Sequence, residues 1–261
     1  MKKTLFICAF AGVGALSAQT GSGLGDLSVS GTFAYESEYI FRGEQFAQHS
    51  FQPGVELAFP VVGGSLYGGV WANMPINDNE DAVAGNPAIY GNEIDFYAGY
   101  AIDVTDIISL DAGFTYYWFP EATVNAGNPP AFGGDEETEE IFAGIGADVL
   151  LSPAAYFYYD FSLETFTIEL SSGYSFDLGD YAGVDGASID TGGYLGFVFD
   201  QTDGEQDRVY WGINVDLVYA LSENVSASVG ARYAGNDKDS DRSPSDDDSH
   251  LWWGASIGFA Y

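Results

Sequence analysis

Leu251-Trp-Trp-Gly-Ala-Ser-Ile-Gly-Phe-Ala-Tyr261 is the stretch on which the fold turns. Read at every second position, one face carries Leu251, Trp253, Ala255, Ile257, Phe259 and Tyr261. The other carries Trp252, Gly254, Ser256, Gly258 and Ala260. A period of two is that of a β-strand with one apolar and one undemanding face. Glycine fills a soluble core poorly but suits a strand beside a lumen, and the apolar face is then left to meet lipid.

The same alternation recurs from Asp26 onward. Leu27, Val29, Gly31, Phe33 and Tyr35 oppose Ser28, Ser30, Thr32, Ala34 and Glu36; Val55, Leu57 and Phe59 oppose Gln52, Gly54, Glu56 and Ala58. Ser65 to Met74 is ambiguous in phase. In Asn92 to Asp103, Ile94, Phe96, Ala98, Tyr100 and Ile102 oppose Glu93, Asp95, Tyr97 and Gly99. Ile107 to Trp118 repeats the pattern. Further segments are Glu140 to Val149, Ala155 to Leu163, Phe166 to Leu178, Ser188 to Phe199, Arg208 to Leu221 and Val225 to Ala234. With the last stretch these make about twelve segments of roughly ten residues, the length a tilted strand needs to cross a bilayer.

The connections alternate too. Tyr39–Ser50, Pro75–Gly91, Phe119–Thr138, Asp200–Asp207 and Gly235–His250 read as long polar loops. Pro60–Gly64, Val104–Asp106, Leu150–Ala154 and Ser222–Asn224 read as short turns, while Glu164–Thr165 and Gly179–Ala187 break the rule. Long loops at one end and short turns at the other fit an up-and-down barrel with both termini in the periplasm.

The only continuous apolar run is Thr4 to Ala18, behind Lys2 and Lys3. It is too short for a membrane helix and ends in small residues, so residues 1–18 read as a signal peptide cut after Ser17 or Ala18. Residues 19–261 are then the mature barrel. The single cysteine, Cys8, leaves with the signal, which excludes disulfides and thiol chemistry. Lys and Arg number 7 against 39 Asp and Glu, for a net charge of −32. That balance excludes nucleic acid as a partner, because phosphate contacts need cations.

Aromatics gather at the long-loop ends: Tyr35, Tyr39, Phe41, Tyr116, Tyr117, Trp118, Phe119, Phe197, Phe199, Tyr210, Trp211, Tyr233, Trp252 and Trp253. Phe59, Tyr100, Tyr219 and Tyr261 lie at the short-turn ends. Two such bands are expected as girdles at the two faces of a membrane.

Periodicity sends an acidic set inward: Glu36, Glu56, Glu93, Asp95, Asp111, Asp148, Asp160, Glu169, Asp190 and Asp216. Arg208 and Arg232 are in register to answer them, and Arg42 stands at the mouth. These acids and Arg208 and Arg232 are the candidate channel lining. Unpaired carboxylates in a dry interior cost several kcal/mol each, so either the lumen is wet or many of the groups carry a proton. Inward glycines leave room for water, whereas inward Tyr97, Tyr117, Tyr156, Tyr158, Tyr194 and Tyr210 are large enough to close the bore.

Nothing in the sequence asks for a cofactor. Acid runs at Asp78–Asp81, Asp135–Glu140, Asp237–Arg242 and Asp246–Asp248 read as solvated loops. Asp237, Asp239 and Asp241 alternate like the start of a calcium loop, but the glycine and distal glutamate are missing, which leaves at most a weak divalent-cation partner. His49 and His250 have no companions at metal spacing. They also lack a serine and an orienting acid marked out for hydrolysis, so no enzyme is expected.

Two stretches resemble known families. The terminal aromatic strand resembles the last strand of Gram-negative outer-membrane barrels, which implies recognition by the barrel-assembly machinery. Ser37-Glu-Tyr-Ile-Phe-Arg-Gly43, followed by Phe51-Gln-Pro-Gly54, resembles the Ser-x-Tyr-x-Phe-Arg-Gly segment of the TorF-like porin family. That resemblance covers the first two strands in detail and implies an outer-membrane porin with no assigned substrate. Tyr39, Phe41, Arg42 and Gly43 form the mouth motif, with Arg42 expected to pair with inward acids and fix the first loop, the alternative being a contact to substrate. The reading is an all-β, transmembrane antiparallel barrel of about twelve strands in outer-membrane lipid. It passes small solutes, with cations preferred. The alternative is a closed barrel that binds or builds through its acidic loops.

Overall fold

The computed structural model describes residues 27–76, 92–120, 137–201, 207–237 and 249–261. The signal segment 1–18 lies outside them, as do Asp78–Asp81, Asp135, Lys238 to Arg242 and Asp246–Asp248. The described residues form twelve strands. They are β1 Ser28–Phe41, β2 Glu44–Val61, β3 Gly64–Pro75, β4 Glu93–Asp103, β5 Ile108–Trp118 and β6 Glu137–Ala147. The chain continues through β7 Ala154–Asp160, β8 Thr165–Asp177, β9 Ala187–Asp200, β10 Arg208–Ala220, β11 Val225–Asn236 and β12 Ser249–Ala260.

Each strand pairs antiparallel with its neighbours in sequence, and β1 pairs with β12, so the sheet is a closed barrel. Closure satisfies the backbone groups that a free edge would leave unpaired. The seam runs from Glu36 opposite Gly254 to Ser30 opposite Ala260. Beyond it, the Val29 and Tyr261 backbones exchange hydrogen bonds of 2.9 and 2.8 Å, so the last residue is part of the closure.

Outward positions carry an apolar belt around the wall. Phe33, Val55, Leu57, Leu66, Phe96, Leu110, Phe114, Ile141, Ile145, Phe157, Leu170, Leu195, Ile213, Val215, Val229 and Ile257 are all exposed. A soluble fold buries such residues, so a continuous exposed belt marks a surface that meets an apolar phase. The ambiguous third segment resolves with Tyr67 and Trp71 buried inside and Leu66 exposed outside.

Two connections differ from expectation. The β8–β9 link holds a short helix, α1 Leu178–Ala182; the Asp177 side chain accepts from Gly179 N at its start, and Gly183 ends it at φ 69°. The larger difference is Tyr39–Ser50, which is not a loop. β1 and β2 run on past the barrel wall and join through the two-residue turn Arg42-Gly43. Both turn residues have positive φ, 47° and 79°, as a tight hairpin matched to strand twist requires.

Candidate functional site

The β1–β2 hairpin tip folds into the barrel and fills its long-loop end. Above the Glu36–Gly254 pair β1 loses its β12 ladder, and β2 joins the β3 edge only from His49, whose carbonyl accepts from Ile76 N at 2.7 Å, downward. Residues 38–48 therefore pair with no wall strand. A hairpin this rich in aromatics gains more by burial than by standing in water. Tyr39, Ile40, Phe46 and Ala47 are accordingly buried. Tyr39 packs on Phe46 and on Trp71 of β3, while Ile40 packs on Ala234 of β11 and Trp252 of β12, with Tyr194 of β9 alongside.

Polar contacts anchor the tip on several sides of the wall. The Tyr39 hydroxyl donates to Glu93 of β4 at 3.3 Å. Asn236 of β11 donates to the Gly43 carbonyl at 2.7 Å, and Arg208 of β10 pairs with Glu44 of the tip at 3.2 Å. The longest reach belongs to Arg42. Its Nη2 lies 2.9 Å from Glu140 Oε1 and 2.8 Å from Oε2 on β6. The guanidinium sits 4.8 Å from the ring centres of both Phe41 and Tyr158. Tyr117 also donates to Glu140, at 3.1 Å. An arginine at positive φ is strained by about 1–2 kcal/mol, which the buried ion pair and ring contacts must outweigh.

Below the tip the interior is organised by cross-strand pairs of a glycine and a ring. Tyr67 is opposite Gly99 and Tyr97 opposite Gly69, Tyr156 is opposite Gly144, and Tyr210 and Tyr194 are opposite Gly196 and Gly212. A Cβ on any of these glycines would clash with the facing ring. These five inward glycines therefore seat tyrosines against the wall rather than leave room for water. Four of the five rings then carry their hydroxyls to an acid on a farther strand. Tyr67 and Tyr156 donate to Asp111 at 2.8 and 3.1 Å, Tyr97 to Glu56 at 3.2 Å, and Tyr210 to Glu169 at 2.7 Å.

The other predicted lining residues separate into groups. Glu36, Asp216 and Arg232 form one network: Arg232 lies 3.3 Å from Glu36 and 2.9 Å from Asp216, and Trp252 Nε1 donates to Glu36 at 3.0 Å. Asp190 accepts from Ser175 and Ser188 at 2.6 and 2.8 Å. Asp160 turns back on its own chain, accepting from Thr138, Ser162 N and Leu163 N, and so fixes the β7–β8 turn. Asp148 is a correction: it falls past the end of β6 in an exposed turn and does not line the interior. Arg208 is another, because its partner is the hairpin's Glu44 rather than a wall acid. The periodicity reading missed Glu140 as a lining acid, although its alternation with Thr138 and Phe142 contains the signal.

Tyr39, Tyr117, Phe119, Tyr210 and Trp252 leave the expected girdle, since all five are buried. His49 and His250 meet Tyr35 and Glu38 respectively. Asp95 is wholly buried, and its carboxylate oxygens meet no donor other than the Glu93 carboxyl. Its charged neighbours are Glu93 and Glu140. Among the described residues the barrel holds three arginines, so acidic groups outnumber basic ones inside it.

The interior thus has two levels. Around the tip, Gln52, Asn73, Glu93, Asp95, Thr115 and Glu140 are packed out of contact with solvent. Toward the short-turn end, the inward Ser171, Ser188, Asp190, Ser226, Ser228 and Ser256 are small or polar and partly exposed.

A family model described as a bacterial protein of unknown function (Gcw_chp) matches residues 19–162. No curated protein matches the chain. Among solved structures, the KdgM porin in complex with disordered oligogalacturonate aligns with a TM-score of 0.50 at 12% identity, over 89% of this chain and 99% of that one. The NanC porin aligns with a TM-score of 0.49 at 11% identity, over 89% and 98% of the two chains. An outer membrane channel from Pseudomonas putida F1 gives 0.49 at 9% identity, over 90% and 95%. At such identities the likeness concerns the barrel fold alone.

Proposed function

We propose, for a chain that belongs to the Gcw_chp family of bacterial proteins of unknown function, a porin-like channel of the outer membrane. It passes small solutes, prefers cations, and is closed at one end by its own first hairpin. The observation that carries this reading is the interior: a closed barrel whose inward acids face three arginines among the described residues. A negative lumen concentrates cations and repels anions. The exposed apolar belt supports placement in lipid, and the signal segment 1–18 supports export. Strand β12, with Tyr261 sealing the seam, is the part offered to the barrel-assembly machinery. Kinship with the TorF-like porins rests on the Ser37–Gly43 segment that forms the plug. The undescribed acidic loops remain candidates for weak divalent-cation binding.

The packed level around the hairpin favours a second reading, a closed barrel that serves as a structural or surface-binding protein. Planar-bilayer conductance of the refolded protein separates the two when measured beside a variant with residues 39–46 replaced by a short Gly-Ser link. The channel reading expects cation-selective conductance that rises in the trimmed variant. Absence of conductance from both folded proteins would move the assignment to the closed barrel.

A further inference from the structure

The hairpin places a guanidinium where the wall has built a seat for one. Tyr158 stacks on one side of the Arg42 head group, Glu140 takes its Nη2 with both carboxylate oxygens, and Tyr117 orients that carboxylate through its hydroxyl. These three wall residues come from β7, β6 and β5, so the seat exists independently of the hairpin that fills it. Asp95 adds a second, separate indication. It is fully buried with Glu140 among its neighbours, its oxygens meet no donor other than the Glu93 carboxyl, and no described cation is bonded to it. The seat therefore holds buried acceptor oxygens that Arg42 does not answer. A metal is not what it is shaped for, because no three carboxylate or imidazole groups converge among the described residues. A flat delocalised cation satisfies both the ring and the carboxylates, whereas a compact ion satisfies only the latter.

We propose that Glu140, Tyr117, Tyr158 and Asp95 form a binding site for small guanidinium-type organic cations, which Arg42 occupies as a tethered stand-in when the hairpin is seated. An incoming cation competes with Arg42, releases the hairpin, and so couples solute binding to opening. This deepens the channel reading by naming its solute class, but the binding half does not require that the barrel conduct.

The test uses the refolded full-length mature barrel in detergent and methylguanidinium as the probe, with urea as the uncharged planar control. Arg42→Gly empties the seat while keeping the positive-φ turn. Binding to this variant should be at least about tenfold tighter than to the parent, since apparent affinity is reduced by the fraction of sites already filled. Arg42→Gly/Glu140→Gln and Arg42→Gly/Tyr158→Leu should lose the gain, and urea should not bind. Equal affinity in parent and Arg42→Gly, or undiminished binding in the Glu140→Gln double variant, would overturn the site. Should Arg42→Gly fold poorly, the yield of heat-modifiable barrel with and without methylguanidinium becomes the readout. Rescue by the probe but not by urea supports the site, and its absence overturns it. Binding without any bilayer current would leave the site standing and remove the channel reading instead.

Discussion

Glu140→Gln is the substitution that most directly tests whether the hairpin is a plug held by charge. The Arg42–Glu140 side chains are 11% and 2% exposed, and the contact distances are 2.8 and 2.9 Å. Removing one partner of a buried ion pair costs about 3–5 kcal/mol. The lower end applies here because Arg42 keeps some contact with solvent. A glutamine oxygen still accepts from Arg42 or Tyr117, which gives back about 1 kcal/mol. The net loss of about 2 kcal/mol falls on the seated hairpin and lowers its ratio to the released form about thirtyfold. Ile40 supplies the reporter, since it is 1% exposed when the tip is seated. The only native cysteine is Cys8, so an Ile40→Cys label on the mature protein is site-specific. In that background maleimide should react about thirtyfold faster with Glu140→Gln, and open-channel events in bilayers should become more frequent. Tyr117→Phe, which loses one hydrogen bond to Glu140, should show a smaller increase of about fivefold. Labelling rates within twofold of each other, with unchanged current, would refute the idea that this pair holds the tip.

Gly196→Val should drive the Tyr210 ring from its seat and break its bond to Glu169, lowering stability by about 1–3 kcal/mol through overpacking; a lower heat-modification temperature is the check. Gly→Val at Gly183, where nothing lies within 4 Å of the added carbon, tests backbone strain without a ring and should leave the interior bonds intact. Deleting Tyr261 removes the two backbone bonds to Val29 at the seam, and the amount of folded barrel recovered from outer membranes should fall. Replacing Glu56 and Asp111 together by Gln and Asn should shift the reversal potential in a salt gradient toward zero, with the effect strongest in dilute salt, where screening lengths approach roughly 30 Å.

The barrel itself was legible because alternation is a local property. Each of the twelve segments states its own inward and outward faces, and only Ser65 to Met74 needed the structure to settle its phase. The inward placement of Glu36, Glu56, Glu93, Asp95, Asp111, Glu169 and Asp216 followed from the same rule. Asp148 failed it because β6 ends one residue earlier, at Ala147, and alternation does not mark where a strand stops.

What alternation cannot express is which residues meet across the bore. The glycines read as space for water, yet their register opposite Tyr67, Tyr97, Tyr156, Tyr194 and Tyr210 makes them seats for rings. Tyr39–Ser50 read as a polar loop, although Arg42-Gly43 between two aromatic runs carried the mark of a tight turn. Even with the hairpin recognised, its direction was undecided, since Arg42 finds Glu140 across 98 residues of sequence. That contact exists only once twelve strands have closed and placed β6 opposite the seam. The sequence by itself determined a barrel with an acidic interior, because period and residue type are written residue by residue. Only the tertiary structure decided that the mouth motif turns inward and plugs it, because burial of Tyr39, Ile40 and Phe46 requires a lumen to be buried in.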